Sequence, residues 1–344
     1  SKYTSYLNRK QKEILDIIKK QEQTMNDNNP SVIECNNIIF NSDKITNVYF
    51  WSRSNKDDDF LTIRLGTGNL PALIDIKAPT EQFTLNEDNL LNDVHNVVNS
   101  SKFLHNVPIT LSLAEHNKLG IISNCSYENN YIDGLILQLV TMQSPIDLKI
   151  VILTSKENEK RWDYIKYLPH SWSDDKMNRF FASTPDEIER VSAFLEQEYK
   201  QRKENDNKTV MKNSDDRENL ADIEKQAKEN SYKNIIPYYL IIDDNYKTSK
   251  NFSIIDILMK TVSNYGFSYF GIGDKLKDIP TSCSMFIDLN EKNGAISENN
   301  IDINEVKHFS NEYLPDLDMR KVAQKLFNIP IMTKDTISQL PQSL

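Results

Sequence analysis

The chain has 344 residues, enough for one large α/β domain or two smaller ones, and 38% hydrophobic residues support a packed core. A net charge of −9 and a pI near 5.2 argue against a nucleic-acid-binding surface, which needs a basic stripe. Cys35, Cys125 and Cys283 are widely spaced with no C-x-x-C, so they indicate neither a disulfide framework nor a zinc site and fit a reducing compartment.

Residues 3–25 read as a helix, with Leu7, Ile14, Leu15, Ile17 and Ile18 forming a narrow apolar stripe flanked by Arg9, Lys10, Lys12, Lys19 and Lys20. Residues 1–30 are expected to be a stalk or connector; a helix docked on the domain is the alternative. The opening Ser1-Lys2-Tyr3-Thr4 lacks Met and fits a fragment with its anchor upstream. Strand-like runs follow at Asn47–Trp51, Phe60–Leu65 and Ala72–Ile76, which predicts a small antiparallel sheet over 31–80. Gly66-Thr67-Gly68 has no helix after it, so it reads as a turn and not a phosphate loop.

From about residue 85 the rhythm becomes β-α-β. The predicted elements are a helix over Leu90–Ser101, strands at Ile109–Leu113 and Leu119–Ser123, and a helix over Tyr131–Gln143. A strictly apolar strand follows at Leu148–Leu153, then a helix over Pro185–Lys203 with Thr184 and Glu187 as a capping box. Residues 204–233 are almost wholly polar and read as a mobile insertion. Then come strand Tyr238–Asp243, helix Ser253–Asn264, strands Phe267–Ile272 and Met285–Leu289, and helix Asp316–Phe327. The alternation predicts a mostly parallel sheet covered on both faces, with Tyr238–Asp243 near its middle. Residues 81–335 would form this domain. No apolar run approaches the ~18 residues of a membrane span.

Pro237–Asp244 has the form of a Walker B strand, whose carboxylate holds Mg²⁺ near phosphates. Its Walker-B-like residues are Asp243 and Asp244, although an Asp at a strand end also serves turns and caps. The matching G-x-x-x-x-G-K-[ST] loop should lie between strand Leu119–Ser123 and the next helix. There Ser123 and Glu128 replace the glycines, while Asn129 and Asn130 stand where Lys and Ser/Thr belong. Starting at Gly120 instead puts Cys125, Ser126 and Tyr127 at the critical places. In either register the lysine is missing, and in the first a carboxylate faces the would-be phosphates. Trp162 through His170 is the densest aromatic stretch and reads as a core edge. No local metal or triad pattern appears around His95, His105, His116, His170 or His308.

Several segments together resemble the EssC/EccC family, the FtsK/SpoIIIE-type motors of type VII secretion. They are Phe50-Trp51-Ser52-Arg53, Asp59 through Gly68, Val107 through Leu113, Leu137-Gln138-Leu139, Ser144 through Leu148, and the W-x-x-x-K-x-L-P-H pattern from Trp162 to His170. The resemblance implies a RecA-like, P-loop-NTPase-type three-layer α/β fold and a membrane-proximal domain with a degenerate ATPase site. It further implies a non-catalytic role that needs no cofactor or metal, at the cytoplasmic face of a bacterial membrane. The implied partners are downstream ATPase domains of the same chain, membrane components of the machine and small WXG-type substrates, with no nucleic acid. Rival expectations are an atypical Mg-dependent nucleotide hydrolase using Asp243 and Asp244, and a substrate- or partner-binding module.

Overall fold

Every residue of Leu148–Leu153 and of Tyr238–Asp243 is buried, as strands covered on both faces must be. In the computed structural model the described residues are 2–41, 48–74, 89–100, 102–213, 231–298 and 306–331. The elements in chain order are α1 (Lys2–Asn28), α2 (Val32–Phe40), β1 (Thr62–Pro71), α3 (Asn89–Ser100), β2 (Phe103–Ser112) and β3 (Lys118–Ser123). Then come α4 (Glu128–Met142), β4 (Leu148–Leu153), β5 (Phe181–Ala182), α5 (Pro185–Asn213), β6 (Tyr238–Asp243) and α6 (Tyr246–Ser249). The last are α7 (Ser253–Lys260), β7 (Phe267–Gly273), β8 (Met285–Leu289), β9 (Asn293–Glu298), β10 (Lys307–Asn311) and α8 (Met319–Phe327).

The strands form one ten-stranded sheet in the order β2-β1-β10-β9-β8-β3-β7-β6-β4-β5. From β8 to β5 all neighbours are parallel; from β8 outward to β2 all are antiparallel. β6 is interior to the parallel part, between β7 and β4, as its composition predicts. Alternation along the parallel strands divides the core. Leu148, Ile150, Ile152, Leu240 and Ile242 face α4, α2 and α8, while Val151, Leu153, Tyr239 and Ile241 face α5 and α7.

Several expectations change. The antiparallel pair β1–β2 is continuous with the main sheet through β10, not a sheet of its own. Val48–Trp51 is a turn and Ala72–Ile74 carries no strand; Asn47 and residues 75–76 lie outside the described residues. Gly66-Thr67-Gly68 lies inside β1, not in a turn, because β10 approaches closely: a Cβ at Gly66 would sit 2.1 Å from the Ser310 carbonyl oxygen. The strand expected at Ile109–Leu113 is the end of a ten-residue strand. Helix α5 runs on to Asn213, so the first part of the expected insertion is helical; residues 214–230 lie outside the described ones. The Glu187 carboxylate accepts from Ser183, one residue before Thr184, and only the Glu187 N–H reaches Thr184 Oγ1.

Helix α1 departs from the free-stalk picture. Ile14, Ile18 and Met25 pack against Leu104, Val107 and Leu70, and Gln21 bonds the Leu73 backbone in both directions. Glu22 accepts the His105 N–H at 2.9 Å, so α1 covers part of the edge strand β2. Tyr6, Leu15 and Ile17 remain exposed. From about Ile14 onward α1 thus lies in contact with β2 and the end of β1. Sequence reading also omitted α2, β9 and β10, although Ser31 and Glu34 form a full capping box that starts α2.

Candidate functional site

Ligands of open α/β sheets bind beyond the carboxyl ends of parallel strands, where the order of connections reverses. Here β3 is followed by α4 on one face, whereas α7 precedes β7 on the other. The carboxyl ends of β3 and β6 carry the candidate residues from both halves of the degenerate motif.

Asp243 ends β6 and is fully buried. Its Oδ2 accepts from the Ser249 hydroxyl and, at 2.7 Å, from the Tyr269 hydroxyl; its Oδ1 accepts the Asn245 N–H at 2.9 Å. Burial pushes its carboxyl up to about 6, against the pull of those donors. Its oxygens are thus taken up inside the fold, joining β6 to α6 and β7. Asp244 is only half-buried. Its Oδ2 accepts from Asn158 Nδ2 at 2.5 Å and from the Trp162 indole at 2.9 Å, while its buried Oδ1 has no protein partner.

At the facing loop, three backbone donors that could face a phosphate, those of Cys125, Ser126 and Glu128, are engaged within the chain. Ser123 Oγ accepts the Cys125 N–H at 3.2 Å. Glu291, in the β8–β9 turn, accepts the Ser126 N–H at 2.8 Å and its hydroxyl at 3.0 Å. A carboxylate therefore sits just ahead of the first turn of α4, where the partial positive charge of a helix start draws anions. Asn129 binds Arg161 through its side-chain and backbone oxygens, at 2.7 and 3.1 Å. Asn130 is paired both ways with the Leu314 backbone.

The electrostatics oppose a polyphosphate. Glu128 opens α4, and burial raises its carboxyl; Asp274 and Asp244 push it the same way, while Ser123 and Arg161 pull it down. Arg161 is committed to Asp133 at 2.9 Å and stacks on the Trp162 ring at 4.3 Å. Among the described residues no group of three or more His, Cys, Asp or Glu side chains could hold a metal ion.

The opposite end of α4 explains two of the sequence motifs. Its last carbonyls lack intrahelical partners. The Trp51 indole donates to Val140 O at 3.1 Å, and the Trp51 and Arg53 N–H groups donate to Thr141 O and Met142 O at 2.8 and 3.0 Å. His170 Nε2 donates to Gln143 O at 2.8 Å. Burial holds the His170 imidazole neutral, its pKa pushed down to about 3. Glu159–Tyr167 forms 3-10 turns kinked at Trp162, and the buried Trp162 and Tyr164 close the core edge as expected.

Sequence reading found Ser123, Glu128, Asn129, Asn130, Asp243 and Asp244, and the fold sets them at the carboxyl ends of β3 and β6 and the start of α4. It missed Glu291 and Arg161. Glu291 sits in a polar turn with no local signal; Arg161 was legible only as the neighbour of Trp162.

No protein-family model matches the chain. The chain is 26% identical over 169 residues to the ESX secretion system protein EccC of Geobacillus thermodenitrificans, covering 49% of this chain and 11% of that protein. It is 30% identical over 169 residues to YukB of Bacillus subtilis, covering 48% and 11%. It is 21% identical over 343 residues to the type VII secretion system protein EssC of Staphylococcus aureus, covering 99% and 22%. The chain thus spans between 11% and 22% of the length of these relatives. The cytoplasmic domain of the Thermomonospora curvata type VII secretion ATPase EccC has the same fold, with a TM-score of 0.51 at 15% identity over 89% of this chain and 36% of that one. Among the described residues no helix is long and apolar enough to cross a membrane. By sequence and by fold, the chain is a homologue of part of the EccC/EssC/YukB proteins of type VII secretion.

Proposed function

We propose that this segment is a non-catalytic, ATPase-like element of a type VII secretion motor. It would couple a membrane-anchored part to downstream ATPase domains during export of small helical proteins. The division proposed for this role has residues 1–30 as a connector whose second half is seated on β2, 31–80 as a part whose strand β1 joins the main sheet, and 81–335 as the degenerate RecA-like body. The observation that carries the reading is the internal occupation of the loop at the start of α4. Glu291 takes the Ser126 donors, and Asn129 and Asn130 are held by Arg161 and Leu314. A bound phosphate would have to displace a carboxylate and then sit among Glu128, Asp244 and Asp274, with no loop lysine to neutralise it.

The rival reading, a Mg-dependent nucleotide hydrolase, has one observation in its favour: the unpartnered Asp244 Oδ1. The two readings part on Asp243→Asn. A coupling element keeps export whenever the variant folds normally by circular dichroism. Loss of export in a normally folded Asp243→Asn variant overturns the non-catalytic reading.

A further inference from the structure

Arg64 lies buried on β1 and reaches two distant parts of the chain. Its Nε and Nη2 grip Glu312 at 2.7 and 2.6 Å in a bidentate pair. Its Nη1 donates to Asn29 O at 2.9 Å and to Asn26 Oδ1 at 3.3 Å, at the C-terminal end of α1. The Arg64 peptide is itself pinned to α4, since Gln138 accepts its N–H at 2.8 Å and donates to its carbonyl at 3.0 Å.

Glu312 is followed by Tyr313, whose hydroxyl donates to the Glu291 carbonyl at 2.9 Å. The Tyr313 ring lies 5.2 Å from Tyr127 and 6.2 Å from Tyr131, which flank the start of α4. The Glu291 side chain then accepts the Ser126 N–H. An unbroken path of contacts runs from the end of α1 to the degenerate loop.

We infer that Arg64, Glu312, Tyr313 and Glu291 act as one relay that links the seating of α1 to the closure of the loop at residues 124–127. The links differ in strength. The bidentate pair is shielded and directional, whereas the last contact is exposed. Seating α1 fixes the guanidinium, which fixes Glu312 and so places Tyr313 against Glu291. By thermodynamic reciprocity, opening the loop must loosen α1 to the same degree. The linkage stands on these contacts; its use in secretion rests on the coupling reading above.

Hydrogen exchange on the whole chain tests it. Glu312→Gln removes the charge from the pair and should speed exchange by ~5-fold or more in both 19–29 and 123–130, with strand 148–153 unchanged as the reference. Asp163→Asn, which breaks an exposed surface pair with Lys166, should change neither segment. If Glu312→Gln loosens the reference strand as well, Tyr313→Phe decides. It removes only the hydroxyl and should speed exchange at the loop and, more weakly, at α1. Faster exchange confined to one of the two segments overturns the relay. Linked exchange with normal export in the same variants would instead count against the coupling reading, so the two failures are distinguishable.

Discussion

The two ends of helix α4 are both closed by groups from elsewhere in the chain, but in opposite ways. The C-terminal end is dry: Trp51, Arg53 and His170 satisfy the carbonyls of residues 140–143, and Arg53 and His170 are almost wholly buried. The N-terminal end is wet: the Glu291 carboxylate and Ser126 that meet there are both exposed. Contacts at the dry end should set stability, since losing a partner leaves a buried polar group bare. Those at the wet end should contribute little to stability; their proposed part is in what can bind.

The largest effect should come from His170. An unfolded histidine takes a proton near 6.5, but the folded one resists until about 3. Its contribution is complete above pH 6.5 and is lost as pH falls from 6.5 toward 3. At about 1.4 kcal/mol per pH unit that is about 5 kcal/mol. Urea midpoints for the native chain and His170→Gln should converge as pH falls through this window. Parallel curves would place His170 outside the dry end.

Arg53→Ala should cost about 3 kcal/mol, because it strips donors from Thr62 O and Asn28 O in a buried setting. Denaturant unfolding at pH 7 checks this; because the Arg53 N–H to Met142 O survives in the variant, a loss below ~1 kcal/mol would mean that the buried guanidinium adds little beside that cap.

Asp243 should behave with the opposite sign to His170. The folded carboxyl keeps its proton up to about 6, while the unfolded one releases it near 3.8. Its contribution is therefore greatest below 3.8 and is lost as pH rises through about 6, a change of roughly 2–3 kcal/mol. The stability difference between the native chain and Asp243→Asn should follow that curve. A flat difference would mean that burial does not raise the Asp243 carboxyl above its unfolded range.

The smallest effect belongs to the wet end. Glu291→Gln weakens an exposed, charge-assisted contact at a helix start and should cost only about 0.5–1 kcal/mol. A loss as large as that at Arg53 would erase the contrast between the two ends.

Strand composition made the parallel half of this fold legible. Leu148–Leu153, Tyr238–Asp243 and Met285–Leu289 are found where their apolar runs place them. The antiparallel half was harder to read. β9 and β10 are short and polar on one side, and they gain their place only by pairing with β8 and β1. At the site, the missing lysine and the acidic Glu128 were visible in the sequence. The plug was not, because Glu291 and Ser126 lie far apart in sequence and meet only through the sheet. The same holds for Trp51 and His170, whose shared task at the end of α4 is a property of the fold.

The central claim is that the chain's own groups occupy the place a nucleotide would take. Calorimetric titration of the folded chain with ATP and Mg²⁺ at neutral pH tests it most directly. No binding heat at millimolar nucleotide is the predicted result. A dissociation constant below ~100 μM, about −5.5 kcal/mol of binding free energy, would contradict it and make Asp244 a functional ligand.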